Sequence, residues 1–211
     1  MGKLAEEFNG YRTKMNDRIM ESANTTPNLI RCAWCGTDPL YIKYHDEEWG
    51  KPVYDDKTLF EFLVLESAQA GLSWITVLRK RENYRKAFEG FDAEKVAAFT
   101  QTDVERLLQN AGIIRNRQKI NGAINNARLF LEIQKEFGSF SNYIWGFLPG
   151  KKPLVNTWKD HKYAPAKTEL SDKISADMKK RSFKFFGTTI CYAHMQATGM
   201  INDHIEGCMA R

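Results

Sequence analysis

The spacing of apolar residues along the chain predicts a protein built almost entirely of helices. Segment 57–70 is apolar on nearly every side, which is typical of a buried helix. Segment 72–89 has an apolar face and a basic face and is expected to form a second helix. Further helices are expected at 93–99, 103–110, 115–137, 140–147, 171–181 and 188–198, with 148–169 as a loop. Because no series of alternating strands occurs, the predicted fold class is all-α.

The first 28 residues differ from the rest of the chain. They are polar, mixed in charge and end in the stretch SANTTPN. We interpret 1–28 as a partly disordered N-terminal extension and 29–211 as one helical domain. The chain has neither an apolar run of the ~20 residues that a membrane span needs nor the apolar core of a secretion signal. The expected location is therefore the cytoplasm.

The overall charge is compatible with a nucleic-acid partner. The net charge is +5 and the isoelectric point is near 8.9. Many metabolic enzymes share this mildly basic balance, so it permits DNA binding without requiring it.

The cysteines and histidines suggest a metal site. In a reducing compartment, cysteines serve as metal ligands or buried thiols more often than as disulfides. Cys32 and His45 lie 13 positions apart, and His204 and Cys208 lie one helical turn apart near the C-terminus. Together they form a Cys2His2 set that suits tetrahedral zinc and closes a structural site. Two alternatives remain open: an ordinary surface histidine with a terminal thiol, or a redox or zinc pair formed by Cys32 and Cys35.

Glu66 is the most informative charged residue. Leu59, Leu63, Glu66 and Ala70 share one face of the apolar helix. A carboxylate in such a place must be paired or functional, because an unpaired buried charge is costly or shifts its pKa upward. The alternative to a functional role is a structural ion pair or hydrogen bond.

Aromatic residues are concentrated on either side of Glu66. This pattern fits either plain core packing or a pocket whose rings stack on a base. The residues concerned are Trp34, Tyr41, Tyr44, Trp49 and Trp74.

A glycine turn between two helices precedes a basic helix start. The stretch AGIIRNRQK at 111–119 places Arg115, Arg117 and Lys119 behind Gly112. Backbone N–H groups at the start of a helix, flanked by basic side chains, suit a DNA phosphate.

Long ordered blocks of the chain resemble the 3-methyladenine DNA glycosylase I family. The resemblance runs from about residue 31 to residue 208 and leaves out only the N-terminal extension. The matching blocks are RCAW at 31–34, DPLYIKYHDEEWG at 38–50, LESAQAGLSWITVLRKRENYRKAF at 65–88, VERLLQNAGIIRNRQKI at 104–120 and KKRSFKFFGTTICYAHMQATGMINDHIEGC at 179–208.

The resemblance implies the fold and the roles of residues. The fold would be that of the helix-hairpin-helix DNA glycosylases, with a zinc clasp joining the N- and C-terminal parts of the domain. Structural zinc would bind Cys32, His45, His204 and Cys208. The catalytic residue would be Glu66, in a base pocket with Tyr41, Tyr44, Trp74 and Trp34. DNA contacts would come from Gly71, Leu72, Gly112, Ile113, Arg115, Arg117 and Lys119. The hairpin departs from the wider superfamily at Ile114, where a second glycine is usual.

The resemblance also implies an activity. A monomer would bind double-stranded DNA containing alkylated bases and hydrolyse the N-glycosylic bond of 3-methyladenine during base excision repair. Asn116 stands where lyase-competent relatives carry a lysine, so no lyase step is expected. Whether 3-methylguanine is also a substrate stays open.

Two rival functions remain at this point. A non-enzymatic, zinc-stabilised DNA-binding module would share the basic turn and the four ligands. A zinc hydrolase or deaminase would need an open coordination position. The HDE and HIE triplets at 45–47 and 204–206 lack the accompanying Pro-Cys-x-x-Cys motif, which disfavours that class.

Overall fold

The computed structural model describes residues 29–211, and the expected extension over 1–28 lies outside the described residues. Helices dominate this part of the chain, as predicted. They are α1 (Pro39–Glu47), α2 (Asp56–Gln69), α3 (Trp74–Leu78), α4 (Arg81–Ala87), α5 (Ala93–Ala97), α6 (Gln101–Gln109), α7 (Arg117–Phe137), α8 (Phe140–Trp145), α9 (Glu169–Lys180) and α10 (Thr188–Ala197).

Helix α2 lies at the centre of the core. All residues from Leu59 to Ala68 are buried, which agrees with the predicted buried helix. The helix begins where Asp55 accepts a hydrogen bond from the N–H of Thr58 at 2.8 Å, a standard N-cap. It packs against α7, α8 and α10. A helix surrounded in this way holds every side chain it carries in a fixed place, including the polar ones.

The single helix expected over 72–89 is instead two short helices, α3 and α4. The N–H of Lys80 bonds to the carbonyl of Val77, three residues back, which tightens and ends the first helix. Arg81 then opens α4 and forms ion pairs with Glu48 and Glu61, both at 2.6 Å. These tertiary contacts set the new chain direction, and periodicity alone does not contain them.

Two helix starts lie earlier than expected. The capping box of α6 joins Thr100 to Asp103, so the helix begins at Gln101 and not at residue 103. Helix α9 is capped by Thr168 and not by Ser171. At α9 the hydroxyl of Thr168 accepts the N–H of Ser171 at 3.2 Å. At α6 the carboxylate of Asp103 accepts the backbone N–H of Thr100 at 2.9 Å.

One helix and one pair of strands were not predicted. Helix α1 begins at an Asp38 cap with Pro39 in its first turn, a start signal that the sequence does carry. Two very short strands, β1 (Leu154–Val155) and β2 (Ile201–Asn202), pair in parallel. This pair ties the long loop to the C-terminal segment, so the all-α description holds apart from one two-residue ladder. Among the helices of residues 29–211, none combines the length and the apolar content that crossing a bilayer requires.

Candidate active site and metal centre

A pocket of about 250 Å³ brings together five of the residues predicted for a base site. Trp34 comes from the turn before α1, Tyr41 and Tyr44 from α1, Glu66 from α2 and Trp74 from the start of α3. The complete lining consists of Trp34, Tyr41, Tyr44, Trp49, Glu66, Gln69, Trp74, His161, Ala193 and Gln196.

Aromatic rings form the walls of this pocket. The ring centroids of Trp34 and Tyr41 lie 5.0 Å apart, and those of Trp34 and Trp49 lie 4.9 Å apart. Tyr44 contacts Trp74 at 5.3 Å. These separations fall in the range of favourable tilted and edge-to-face contacts. The aromatic cluster is therefore both core packing and pocket wall, so the two interpretations of the sequence pattern do not exclude each other.

Glu66 is buried in this pocket without a partner. Its side chain is 2% exposed, and Oε2 has no hydrogen-bond partner among residues 29–211. Burial alone raises the pKa of Glu66 to about 8. The indole N–H of Trp74 is also buried and has no acceptor in the residues that the structure describes. The structural ion pair considered for Glu66 does not occur in the described part of the chain. One free carboxylate and one free N–H donor thus face the same pocket.

The unusual pKa of Glu66 predicts how the stability of the ligand-free protein depends on pH. Because the folded pKa of about 8 exceeds the value of an exposed glutamate, the free energy of unfolding should fall as pH rises from about 4.5 through 8. This group alone should lower it by roughly 4 kcal/mol across that window. Denaturant titrations of the wild type and of Glu66→Gln at pH 5 and pH 8 measure the difference. Parallel pH dependences for the two proteins would contradict it.

Several pocket residues were missed at the level of sequence. Gln69 lies three residues after Glu66 on the same helix face, so helical spacing could have found it. His161 opens a short 3₁₀ helix, His161–Tyr163, within the predicted loop, and this segment has no periodic relation to the pocket. Its Nε2 accepts the indole N–H of Trp34 at 2.9 Å, and burial lowers the pKa of this imidazole. His161 is therefore held as a neutral side chain against the pocket wall.

Asp203 fixes the orientation of one pocket residue. This fully buried carboxylate accepts a hydrogen bond from Nε2 of Gln196 at 2.7 Å and another from Tyr192 at 2.6 Å. It also accepts from Asn156 and Trp158, at 2.7 and 2.8 Å. Because a carboxylate can only accept, the amide group of Gln196 is held with its nitrogen toward Asp203.

Cys32, His45 and Cys208 form a buried group whose ligand atoms all lie within 4.8 Å of one another. The two Sγ atoms are 3.9 Å apart, and Sγ of Cys208 is 3.5 Å from Nε2 of His45. Tetrahedral zinc with bonds of about 2.3 Å to sulfur and about 2.0 Å to nitrogen requires separations of about 3.8 and 3.5 Å. The spacing of these atoms fits a tetrahedral metal ion.

His45 is oriented for a ligand role. Its Nδ1 lies 2.7 Å from Oδ1 of Asp46, and Asp46 also pairs with Arg31 at 2.8 Å. A carboxylate can only accept a hydrogen bond, so Nδ1 carries the proton and Nε2 carries the lone pair. That Nε2 accepts the backbone N–H of Cys32 at 3.3 Å, and a metal ion would take the place of this donor.

His204 lies beside this group but outside it. The ring centroids of His204 and His45 are 4.9 Å apart. Nδ1 of His204 lies 2.8 Å from Oδ1 of Asn202, while Nε2 is buried and has no hydrogen-bond partner in the range 29–211. A Cβ atom at Gly50 would lie 2.9 Å from the His204 ring, so a glycine is needed to make room. The unpartnered Nε2 fits the fourth ligand predicted from the sequence.

Cys35 does not belong to the metal group. Its thiol donates to the carbonyl oxygen of Cys32 at 3.1 Å. Burial raises the pKa of Cys35 and raises that of Cys32 to about 12. Redox-active cysteine pairs depend on lowered thiol pKa values. The redox alternative is therefore disfavoured.

The predicted DNA-contacting turn joins α6 to α7 over 110–116. Gly112 donates its N–H to the side chain of Asn110 at 2.8 Å, and Ile114 donates to the hydroxyl of Tyr84 at 3.1 Å. Ile113 is 2% exposed and anchors the turn in the core. Asn116 caps α7 by accepting from Lys119 N–H. The turn is thus held rigidly, and the N–H groups of Gly112 and Ile114 already have acceptors inside the protein.

The basic residues near this turn differ in how accessible their side chains are for contact with DNA. Arg115 is exposed. Arg117 is exposed but pairs with Glu105 through two contacts of 2.8 and 2.9 Å. Lys119 turns inward. Leu72 is 40% exposed in the turn after α2, where Gly71 has a φ of 80°. Arg115 and Leu72 are therefore the most accessible of the residues predicted to meet DNA.

Comparisons with known proteins agree with this geometry. The sequence profile of the family described as methyladenine glycosylase matches residues 34–211. DNA-3-methyladenine glycosylase 1 of Escherichia coli strain K12 is 53% identical over 180 residues, covering 85% of this chain and 96% of that protein.

Solved structures give the same result. A crystal structure of 3-methyladenine DNA glycosylase I matches with a TM-score of 0.84 and 51% identity, covering 86% of this chain and all of that one. The Staphylococcus aureus enzyme, whose structure addresses 3-methyladenine recognition, matches with a TM-score of 0.82 and 37% identity, covering 85% of this chain and 95% of that one. This chain belongs to the methyladenine glycosylase family.

Proposed function

We propose that this protein is a monofunctional DNA glycosylase that hydrolyses the N-glycosylic bond of 3-methyladenine in double-stranded alkylated DNA, the first step of base excision repair. The observation that carries the proposal is Glu66, a buried carboxylate without an internal partner that faces an aromatic pocket. The names of the relatives support the same substrate.

The chemistry of the lesion explains why such a pocket is sufficient. A purine methylated at N3 carries positive charge in DNA, so its N-glycosylic bond is already weak and the base leaves as a neutral molecule. The enzyme must remove the base from the stack, at a cost of a few kcal/mol, and hold it. The rings of Tyr44, Trp74 and Trp34 would stack on the cationic base and attract it by ~0.5–2 kcal/mol per contact.

Glu66 would distinguish the lesion from normal adenine. In the ligand-free pocket its pKa of about 8 keeps the carboxyl group largely protonated at neutral pH. A cationic base lowers that pKa and stabilises the carboxylate, whereas neutral adenine does not. The carboxylate would accept from the exocyclic amine, and the free indole N–H of Trp74 would donate to a ring nitrogen. The part of this stabilisation that is already present in the bound ground state selects the charged base. Only the part that grows in the transition state increases the rate of excision.

The hairpin over 110–116 would hold the DNA backbone in the manner of a helix-hairpin-helix motif. The start of α7 leaves the N–H groups of Arg117 and Gln118 without acceptors in their own helix, and such groups attract a phosphate. Arg115 and Arg117 would add charge at the same place. Gly112 and Ile113 shape the turn, and Ile114 is held by Tyr84 where the wider superfamily has a glycine. Leu72, presented by Gly71, would fill the gap left by the extruded base.

The absence of a lyase step follows from the residue that begins α7. Asn116 uses its side-chain oxygen to cap the helix. An amide has no nucleophilic amine that could form a Schiff base with the sugar. We therefore propose simple hydrolysis without strand cleavage.

We propose that the Cys32, His45, His204 and Cys208 set binds structural zinc. Such an ion would supply folding free energy and would leave no open position for catalysis. Cys32 and Cys208 come from opposite ends of the described chain, so the site would clasp those ends together. We also propose that residues 29–211 form one domain, that the protein is a monomer and that it is located in the cytoplasm.

Incubation of the protein with alkylated duplex DNA tests the proposed activity. Chromatography of the released bases should show 3-methyladenine, and the strands should remain uncut until alkali is added. Bound DNA without any released base would instead support the non-enzymatic DNA-binding module. Release of 3-methylguanine in the same experiment would extend the substrate range.

A further inference from the structure

Lys119 turns its side chain into the protein, although it lies among the basic residues that follow the hairpin. Its Nζ donates to the carbonyl oxygen of Ala68 at 2.8 Å and to that of Ala70 at 2.6 Å. The residue is half-buried, and burial lowers the pKa of its ammonium group. Lys119 is thus an internal hydrogen-bond donor and not a free surface charge.

The two acceptors lie at the C-terminal end of α2. The last carbonyl groups of a helix have no partners within the helix and form the negative end of its dipole. The carbonyl of Gln69, between the two, accepts from the N–H of Leu72 at 2.6 Å. Lys119 and this single N–H group therefore satisfy three successive carbonyls, those of residues 68, 69 and 70. An ammonium group, with three rotatable donors, can reach two of them at once.

The backbone of Lys119 is fixed to the hairpin. Its N–H donates to Oδ1 of Asn116, the cap of α7, at 3.1 Å. One residue therefore joins the start of α7 to the end of the helix that carries Glu66. The same contact reaches the turn that presents Leu72.

We propose that Lys119 is a positioning residue that sets the separation between the hairpin and the Gly71–Leu72 turn. This inference rests on the proposed function, because the separation matters only if both surfaces contact one DNA duplex. Glu66 lies one helical turn before Ala70. Loss of the hydrogen bonds from Lys119 would therefore also move the Glu66 carboxylate relative to the hairpin that contacts the DNA. Lys119 acts through these groups and touches neither the base nor a phosphate.

Lys119→Met keeps the apolar stem and removes the donor. The Leu72 amide should then exchange with solvent about tenfold faster by hydrogen exchange mass spectrometry, because its turn loses an anchor. Single-turnover excision at saturating protein should fall about 10- to 100-fold, as expected for a displacement near 1 Å. Affinity for free 3-methyladenine, followed by tryptophan fluorescence, should stay at the wild-type value.

The salt dependence of duplex binding separates positioning from phosphate contact. Lys119→Met should leave the slope of log affinity against log salt unchanged, whereas Arg115→Met should reduce it by about one. Lys135→Met, an exposed lysine in the last turn of the same helix, serves as the matched control and should match the wild type in every readout.

Two results would overturn the proposal. One is a slope reduced by about one in Lys119→Met with normal exchange at Leu72, which would make Lys119 a phosphate contact. The other is wild-type exchange together with a wild-type excision rate. If Lys119→Met does not fold, Lys119→Arg provides the test, because arginine keeps a cationic hydrogen-bond donor. Slow excision by this variant together with wild-type hydrogen exchange at the Leu72 amide would refute the positioning role of Lys119. If the wild type releases no base, the proposed function fails, and the exchange measurement still reports on the Lys119 contact.

Discussion

Replacement of Glu66 by glutamine is expected to remove most 3-methyladenine excision while leaving the fold and the duplex affinity intact. The carboxylate is buried, faces the pocket and has no partner among residues 29–211. Glutamine has nearly the same shape, so the pocket should keep its walls. It cannot carry the negative charge that stabilises a cationic base in a site of low dielectric constant. A loss on the order of 100-fold or more is expected, comparable to removal of one preorganised electrostatic group from an active site.

Single-turnover kinetics on a duplex that contains 3-methyladenine provide the measurement. Glu47→Gln is a suitable control, because Glu47 is an exposed carboxylate at the end of α1, and only a distant 3.9 Å contact joins it to Lys43. That variant should excise at the wild-type rate. Near-normal excision by Glu66→Gln would remove Glu66 from the mechanism and leave stacking as the main source of selection.

The same substitution should stabilise the protein at alkaline pH. An unpaired buried carboxyl group opposes folding once it must ionise, and glutamine removes that cost. A variant that is more stable but inactive would show that this part of the core is kept for function and not for stability. Opposite changes in stability and activity are therefore the signature expected of Glu66.

The sequence predicts the pocket where one helix face or one local segment supplies its residues. Glu66 stands out because α2 is apolar on nearly every side. Tyr41 and Tyr44 stand out as part of an aromatic cluster, and the family resemblance assigns them to the pocket, because the helix that carries both of them was not predicted. His161 and Gln196 come from segments far away in sequence, and only tertiary contacts bring them to the pocket. For the same reason periodicity does not predict the break between α3 and α4 at Lys80, which is followed by the ion pairs of Arg81.

Two side chains that line the pocket also contact the proposed metal ligands. Trp34 follows Cys32 by two residues, and its ring lies 5.2 Å from that of His45. Trp49 contacts Trp34 and also the ring of His204, at 4.9 and 4.6 Å. One wall of the pocket therefore packs against the rings of two proposed zinc ligands, His45 and His204. Because the contact is made by rings and not by a shared reacting group, the metal should affect the pocket through folding and not through chemistry.

Substitution of Cys208 by serine is accordingly expected to lower stability far more than it alters excision by the folded fraction. A serine hydroxyl is a poor zinc ligand, and the change also leaves His45 and Cys32 in a buried site without their partner. We expect a loss of about 3–5 kcal/mol, which is large for a single substitution, because loss of a bound metal is one of the few causes of such large effects. For a domain of this size the thermal midpoint should then fall by about 10 °C.

Cys35→Ser provides the matched control for that experiment. Cys35 is also buried, but its thiol only donates to a backbone carbonyl, which a hydroxyl can do as well. It should keep the zinc content and nearly all of the stability. Elemental analysis should find one zinc per chain in the wild type and in Cys35→Ser, and much less in Cys208→Ser. Pure, folded wild-type protein without zinc would contradict the clasp. In that case the 3.9 Å separation of the two sulfur atoms and the unpartnered nitrogen of His204 would need another cause.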